Sequence, residues 1–594
     1  MNTTEILTML KSGGRPEHNL IMGADFSGQD FSGLNLSQLN FADCNLSNAT
    51  FQQCILNDVA FIYCKLGNTN FSEAKLANVV YSNERISNNT PADFDPLNIP
   101  PMCFIQTRFC KAKLANVMFS KCDVQGADFS EANLDTVVFD HCLAQKMKFN
   151  KASLLASFYD NCQLHDADFS EAQLTNITFE ESNVSNLLLT SAVLDACEFK
   201  EVTPLTLDFS QASLNNIQLD KMDLTSAKKL SGNYDNSILA QCNLSGIDLT
   251  GCSFSGCDLT AANLQNCNLK GVNLSDAILS DAHIDNANLT EADLSATNFD
   301  NCNAASCNFS NSNLKDASFT NADLSKTTFI QVQSEGSHYD GANLSEANFS
   351  QANLTNASFT NCDLTMVNLT ETELSGANFN NAKLNQTNLS NAKGTGVDFA
   401  AVTLEKAIFS CVSFIQSSFN GLDLNGYDLH SCDFTDSSFA KCKLEQVRFD
   451  QSNLTRCNFT DASIKSAALR NVSAVAASFT DANLTGSALT NSDFSTANFI
   501  GSTLAVADFS HANMTEALIM DAECAGALFK NVTGHWADFS RSRLLNADFS
   551  NADMFGINIH QIDDSGTKWS GTNLKRVRKT DKDLAAAETW QMPS

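Results

Sequence analysis

The chain is 594 residues long, with a formal net charge of −30, 43% hydrophobic residues and 21 cysteines. No run of 18 or more apolar residues occurs, and no basic start leads into an apolar segment, so neither a membrane span nor a signal peptide is predicted. So many cysteines without CxxC pairs, in a long chain, point to free thiols in a reducing compartment rather than to a disulfide framework.

Residues 1–22 read as a cap and lead-in. Thr4 to Lys11 form a short amphipathic helix stopped by Gly13-Gly14, placed to cover an otherwise open edge. From residue 23 the chain repeats every five positions: a small residue, Asp or Asn, Leu or Phe, Ser or Thr, and a variable one. Ala24-Asp25-Phe26-Ser27, Ala127-Asp128-Phe129-Ser130 and Ala547-Asp548-Phe549-Ser550 are clear copies. The centres Phe26, Phe31, Leu36 and Phe41 open a first block over 23–86. A period of five fits neither a helix nor a flat strand, so each unit must turn a corner. Units this small cannot bury their own apolar faces and must stack on their neighbours as a solenoid. The centre and the small residue two before it are predicted to point inward.

Residues 87–103 interrupt the register and hold Pro91, Pro96, Pro100 and Pro101, four of the seven prolines. Proline cannot donate to a ladder. The segment is read as a loop or hinge, with a partner hook as the alternative. A second block then runs over 104–574 in a new phase, with aromatic centres mainly at numbers ending in 9 and leucine at those ending in 4. Between Leu214 and Leu294 leucine takes almost all centres. Irregular centres such as Ala144, Ser334, Gly394, Ala474 and Gly534 fall on the leucine faces, as decay of a redundant repeat or as a dented strip for a partner. Residues 575–594 are a basic cap or tail, Lys575, Arg576, Arg578, Lys579 and Lys582 leading into a second short helix.

The A(D/N)Lxx pattern resembles the pentapeptide-repeat family over nearly the whole chain. The resemblance implies an all-β fold, a right-handed quadrilateral parallel β-helix with four quintets per coil and short terminal capping helices. Roughly 27 coils at ~4.8 Å spacing would extend on the order of 130 Å. Some members of that family resemble B-DNA in width and charge and inhibit DNA gyrase. Here the net charge spreads to about one per ~4 Å, against one per ~1.7 Å for the duplex. The tail resembles those of large pentapeptide-repeat proteins that accompany bacterial type VI secretion systems.

The register removes several apparent motifs. Most cysteines, among them Cys44, Cys122, Cys142 and Cys162, sit at the small inward position and read as small hydrophobes. Asn-Leu-Ser and Asn-Leu-Thr sequons follow automatically from the repeat. No nucleophile elbow, phosphate loop or HExxH occurs, and no histidine keeps a carboxylate at constant offset, so neither catalysis nor a metal or cofactor site is predicted. The expected function is a non-catalytic protein-binding scaffold or adaptor associated with a secretion system. A gyrase-inhibiting DNA mimic and a secreted effector presenting a targeting tail are the alternatives. Protein partners are expected, with no small-molecule substrate and no direct nucleic-acid binding, for a monomer or end-to-end homodimer. The expected location is a bacterial cytoplasm, export without a signal peptide staying open. Candidate partner-binding residues are Lys575, Arg576, Arg578, Lys579, Lys582, Pro96, Pro100, Pro101, His535 and Trp536.

Overall fold

The hydrogen bonds of one quintet explain the architecture. At Asn348 to Ala352, three of the five backbone N–H groups reach neighbouring coils: Asn348 N–H donates to Thr327 O at 2.9 Å, Phe349 N–H to Asn368 O at 2.8 Å and Gln351 N–H to Thr370 O at 2.9 Å. The fourth, Ala352 N–H, closes the corner onto Phe349 O at 3.0 Å. The fifth, Ser350 N–H, has no ladder partner and donates to the Asn348 side chain at 3.0 Å. Asp or Asn before each centre is therefore the acceptor for the one donor that the corner leaves over. In the first unit several quintets with another residue there straighten into a three-residue strand, as at Lys75–Ala77, Ser153–Leu155, Gln173–Thr175 and Val193–Asp195.

The computed structural model describes residues 2–83, 102–203, 207, 209, 211–225, 230 and 232–588. By internal packing the chain divides into two compact units, Met1–Asp293 and Leu294–Ser594. Each is a parallel β-solenoid in which a residue pairs with the one twenty positions on, for example Leu154 with Leu174 in the first unit and Asn348 with Asn368 in the second. Among the described residues no helix is long and apolar enough to cross a membrane.

In the first unit, helix α1 (Thr3–Lys11) starts at an Asn2–Glu5 capping box and buries Leu7 and Leu10, as a cap should. The ladder crosses the proline-rich interruption: Leu76 pairs with Leu114, and Tyr81 pairs with Phe119, their rings stacked at 4.8 Å. The partners lie 38 residues apart there instead of 20, so the extra residues are an insertion within one coil. Met102–Cys103 already pair with Cys122–Asp123, so the ladder resumes before Phe104 and the predicted 87–103 excursion ends earlier. Pro91, Pro96, Pro100 and Pro101 lie outside the described residues.

The interior follows the predicted inward pair. In the second unit, rings twenty residues apart stack, Phe309 on Phe329 at 5.0 Å and Phe319 on Tyr339 at 5.2 Å. Rings ten apart come from facing walls and meet edge to face, Phe309 and Phe319 at 5.8 Å and 89°. Both geometries suit the ring quadrupole. Irregular centres are compensated from within. Ser334 is fully buried and bonds Ser337 and the Tyr339 hydroxyl at 2.8 and 2.7 Å, and Met554 occupies the space beside Gly534. At these two centres neighbouring side chains take up the space, as in a tolerated irregularity of the repeat.

The small inward position is also a donor position. Cys54, Cys242 and Cys442 point their thiols at backbone carbonyls 23 residues earlier, at 2.9, 2.8 and 2.9 Å, as Thr387 and Ser437 do with hydroxyls at 2.7 Å. All cysteines are free; Cys411 is exposed, Cys103 and Cys110 are partly buried and the others are buried. Burial pushes the Cys110 thiol up to about 11, with the Asp128 charge adding to it. A thiol reagent at pH 8 should therefore find one fast-reacting group in the native protein, lost in Cys411→Ser, with the buried thiols reacting only after denaturation. Rapid modification of many thiols in the native state would contradict this interior.

Candidate functional site

The outward positions of the repeat are normally polar, and the last coils of the second unit break that rule. Residues twenty apart form columns along the wall. One column carries His535, Phe555 and Lys575, and the next carries Trp536, Gly556 and Arg576. The Trp536 ring is 43% exposed and meets Phe555 edge to face at 5.4 Å. The Arg576 guanidinium lies 5.6 Å from the Phe555 ring centre, within cation–π range. His535 Nε2 lies 2.8 Å from an Asp553 carboxylate oxygen, and that contact holds Asp553 below the usual carboxylate range. Gly556 has φ +72°, and a Cβ there would lie 2.4 Å from Trp536 Cε3, so glycine makes room for the indole.

The structure thus brings His535, Trp536, Lys575 and Arg576 together on one corner, although 40 positions separate the first from the third. It separates Arg578 and Lys579, which line a cavity of about 480 Å³ beneath helix α2 (Lys582–Glu588), together with Met520, Arg541, His560 and Leu584. Lys582 begins α2 and is exposed. Pro96, Pro100 and Pro101 are outside the described residues. The described contacts of α2 run to Arg541, His560 and Gln561, and none of its residues is buried. The inward residues of the last coil remain partly exposed, Trp569 and Leu574 among them. Sequence reasoning missed Phe555 and Gly556. The available signal was Phe555 itself, an aromatic at the position after a centre, where Ser or Thr is usual.

Elsewhere the wall carries ordered charge. Lys443 and Asp423, Arg456 and Asp436, Lys465 and Glu445, and Arg541 and Asp521 pair across neighbouring coils at 2.6–3.2 Å. Such exposed pairs are individually weak. They nevertheless interleave cations with the acidic surface. Asp140, His141 and Asp160 are the described His/Asp group whose donor atoms all lie within 4.8 Å of one another, a grouping that no sequence spacing suggested. Asp140 is already engaged there by His141 and by Ser120, the latter at 2.8 Å.

A twenty-residue parallel coil built from quintets defines a β-solenoid protein, here with an aromatic and basic corner on its last coils. The chain belongs to the pentapeptide-repeat family. A family model described as "Pentapeptide repeat region" matches residues 22–95, 332–409 and 402–479. Another, "Pentapeptide repeats (8 copies)", matches 104–140, 235–266, 257–295, 292–331, 477–516 and 517–558. Among solved structures, the chain is similar to QnrB1, a plasmid-mediated fluoroquinolone resistance protein, at 17% identity and a TM-score of 0.24, over 33% of this chain and 95% of that one. It is also similar to HetL, a pentapeptide repeat protein involved in heterocyst differentiation regulation in Nostoc sp. strain PCC 7120, at 23% identity and a TM-score of 0.14, over 41% and 88%. A search of the curated proteins returned no match.

Two predictions arise here. Gly556→Ala should displace the indole and lower stability by about 1 kcal/mol or more; acrylamide quenching of tryptophan emission together with a denaturation curve reads both effects. The second concerns acid. Bonds from Ser27, Ser32 and Ser550 hold Asp25, Asp30 and Asp548 below the ordinary aspartate range. A lowered folded-state value means stability that is present above about pH 3.9 and lost as the pH falls through the lowered range. Asp548→Asn keeps the acceptor for Ser550 and removes the titration. Because Asp548 also pairs with Lys530 and Lys568 at 3.5 and 3.8 Å, the variant should be somewhat less stable than the parent near neutrality and should lose less stability below about pH 4, as urea midpoints at both pH values would show.

Proposed function

We propose that this protein is a non-catalytic protein-binding scaffold, engaged by its partner at the Trp536–Phe555–Arg576 corner. The observation that carries the reading is a half-exposed indole held in place by a glycine and an aromatic edge, on a wall whose outward positions are otherwise mostly polar. Tryptophan and arginine are the residues that dominate protein interfaces, because one large rigid ring and one planar cation bury much area at low entropic cost. Lys575 flanks them and suits an acidic rim on the partner.

The finer form of the proposal is an adaptor in a bacterial secretion system of type VI, working from the cytoplasm. What supports it is the resemblance of the basic tail, and it stands or falls with the identity of the captured protein. The inter-coil ion pairs weigh against reading the acidic surface as a DNA mimic, since a duplex presents uninterrupted phosphate charge.

Affinity purification from the native host should recover one partner with the parent chain and about tenfold less with Trp536→Ala combined with Phe555→Ser, at unchanged circular dichroism. Recovery of secretion-apparatus proteins supports the finer form. Equal recovery by both chains would remove the corner from the proposal, and stoichiometric inhibition of gyrase supercoiling by the parent would replace the scaffold reading with the mimic.

A further inference from the structure

Helix α2 is attached to the second unit in an unusual way. It has seven residues, none buried, and Leu584 is 49% exposed. With no buried side chain among its described residues, it gains little from packing of an apolar face. What holds it is chiefly one carboxylate. Glu588 Oε2 lies 3.1 Å from His560 Nε2 and accepts from Gln561 Nε2 at 3.0 Å, while Oε1 lies 3.5 Å from Arg541 Nη1. Near its start, Asp581 N–H donates to His560 Nδ1 at 3.1 Å, and Gln561 N–H donates to the Thr580 hydroxyl at 3.0 Å.

One receiving group, Arg541, is set independently of the tail, while His560 is oriented by the backbone just before the helix. Arg541 is fixed by a two-pronged bond to Asp521, both contacts at 2.9 Å, which leaves Nη1 directed at Glu588. The His560 side chain is only 5% exposed. Its Nδ1 accepts from a backbone N–H, so Nε2 carries the hydrogen and points it at the carboxylate. Three donors from two adjacent coils therefore converge on one carboxylate position, beside the cavity that Met520, Leu584, Arg578 and Lys579 help to line.

We propose that Arg541, His560 and Gln561 form a carboxylate-binding subsite that Glu588 fills from within the chain. An acidic, glutamate-bearing helical segment of a protein partner takes the same place when α2 is displaced. Complementarity of charge favours this occupant: the chain's own α2 presents a glutamate to the three donors, and the wall offers an apolar Met520 with Arg578 and Lys579 alongside. The inference rests on the reading of the carboxy-terminal coils as the partner-binding end, yet it concerns a different face from the Trp536 corner.

The test uses the full-length chain and a fluorescent peptide of residues 580–588, Thr-Asp-Lys-Asp-Leu-Ala-Ala-Ala-Glu, in an anisotropy titration. Glu588→Ala should unlatch α2 and raise affinity for the peptide about tenfold over the parent chain. A peptide ending in Gln should show no such gain, and Glu588→Ala combined with His560→Gln should return binding to the parent level. Equal binding of the Glu and Gln peptides, or equal binding by the parent and Glu588→Ala chains, overturns the proposal. Arg541→Gln on the Glu588→Ala background provides a second route to the same loss should the His560 variant fold poorly. Loss of partner capture in the Trp536→Ala, Phe555→Ser chain with the peptide gain intact in Glu588→Ala would separate the two sites.

Discussion

Every part of this structure depends on the need to satisfy all five backbone N–H groups of a corner that recurs every five residues. Three donate to neighbouring coils, one closes the turn and the last takes a side-chain acceptor supplied by Asp or Asn. That accounting favours Asp or Asn before each centre. Asn meets the need without charge, and many carboxylates, Glu131, Glu171, Asp281 and Glu291 among them, sit at other positions of the repeat, so the backbone requirement does not by itself set the net charge of −30.

Packing is the second consequence. A coil with only four walls brings opposite faces so close that rings from both must share one narrow space. Parallel stacking along a wall and edge-to-face meeting across the core resolve the crowding, and the small inward residue keeps room between them. That residue is doubly constrained, because it lies over a carbonyl of the previous coil. Ala, Cys, Ser and Thr all fit, and the last three add a weak or moderate hydrogen bond. The cysteine richness follows from that position.

Functional residues stand out against this background because the repeat assigns a role to nearly every other one. Phe555 and Trp536 are apolar where the repeat asks for polarity. Glu588 and α2 lie beyond the repeat, and their contacts run to Arg541, His560 and Gln561. A solenoid makes such departures visible, since the ladder, the core and the turn assign a place to most other residues.

Much of this was legible beforehand. The five-residue period implied the solenoid, the inward pair and the ring columns, because periodicity along the chain maps directly onto faces when each coil has a constant length. His535, Trp536, Lys575 and Arg576 could be marked as candidates, but their convergence could not be read, since it depends on which residues lie one coil apart near the end. Nor could the left-handed backbone at the nominally variable position, as at Gln351 and Asn361, where φ is 61° at both. That conformation shows only as a mild preference for Gly, Asn and polar residues. The sequence alone determined the period, the stacking and the core. The tertiary structure decided how the end was arranged: the seat of α2, the carboxylate subsite beneath it and the aromatic corner beside it. The reason is physical: within the repeat each residue meets its counterpart at a constant spacing of twenty, so pairing follows from the period, while the end depends on contacts whose partners no period fixes.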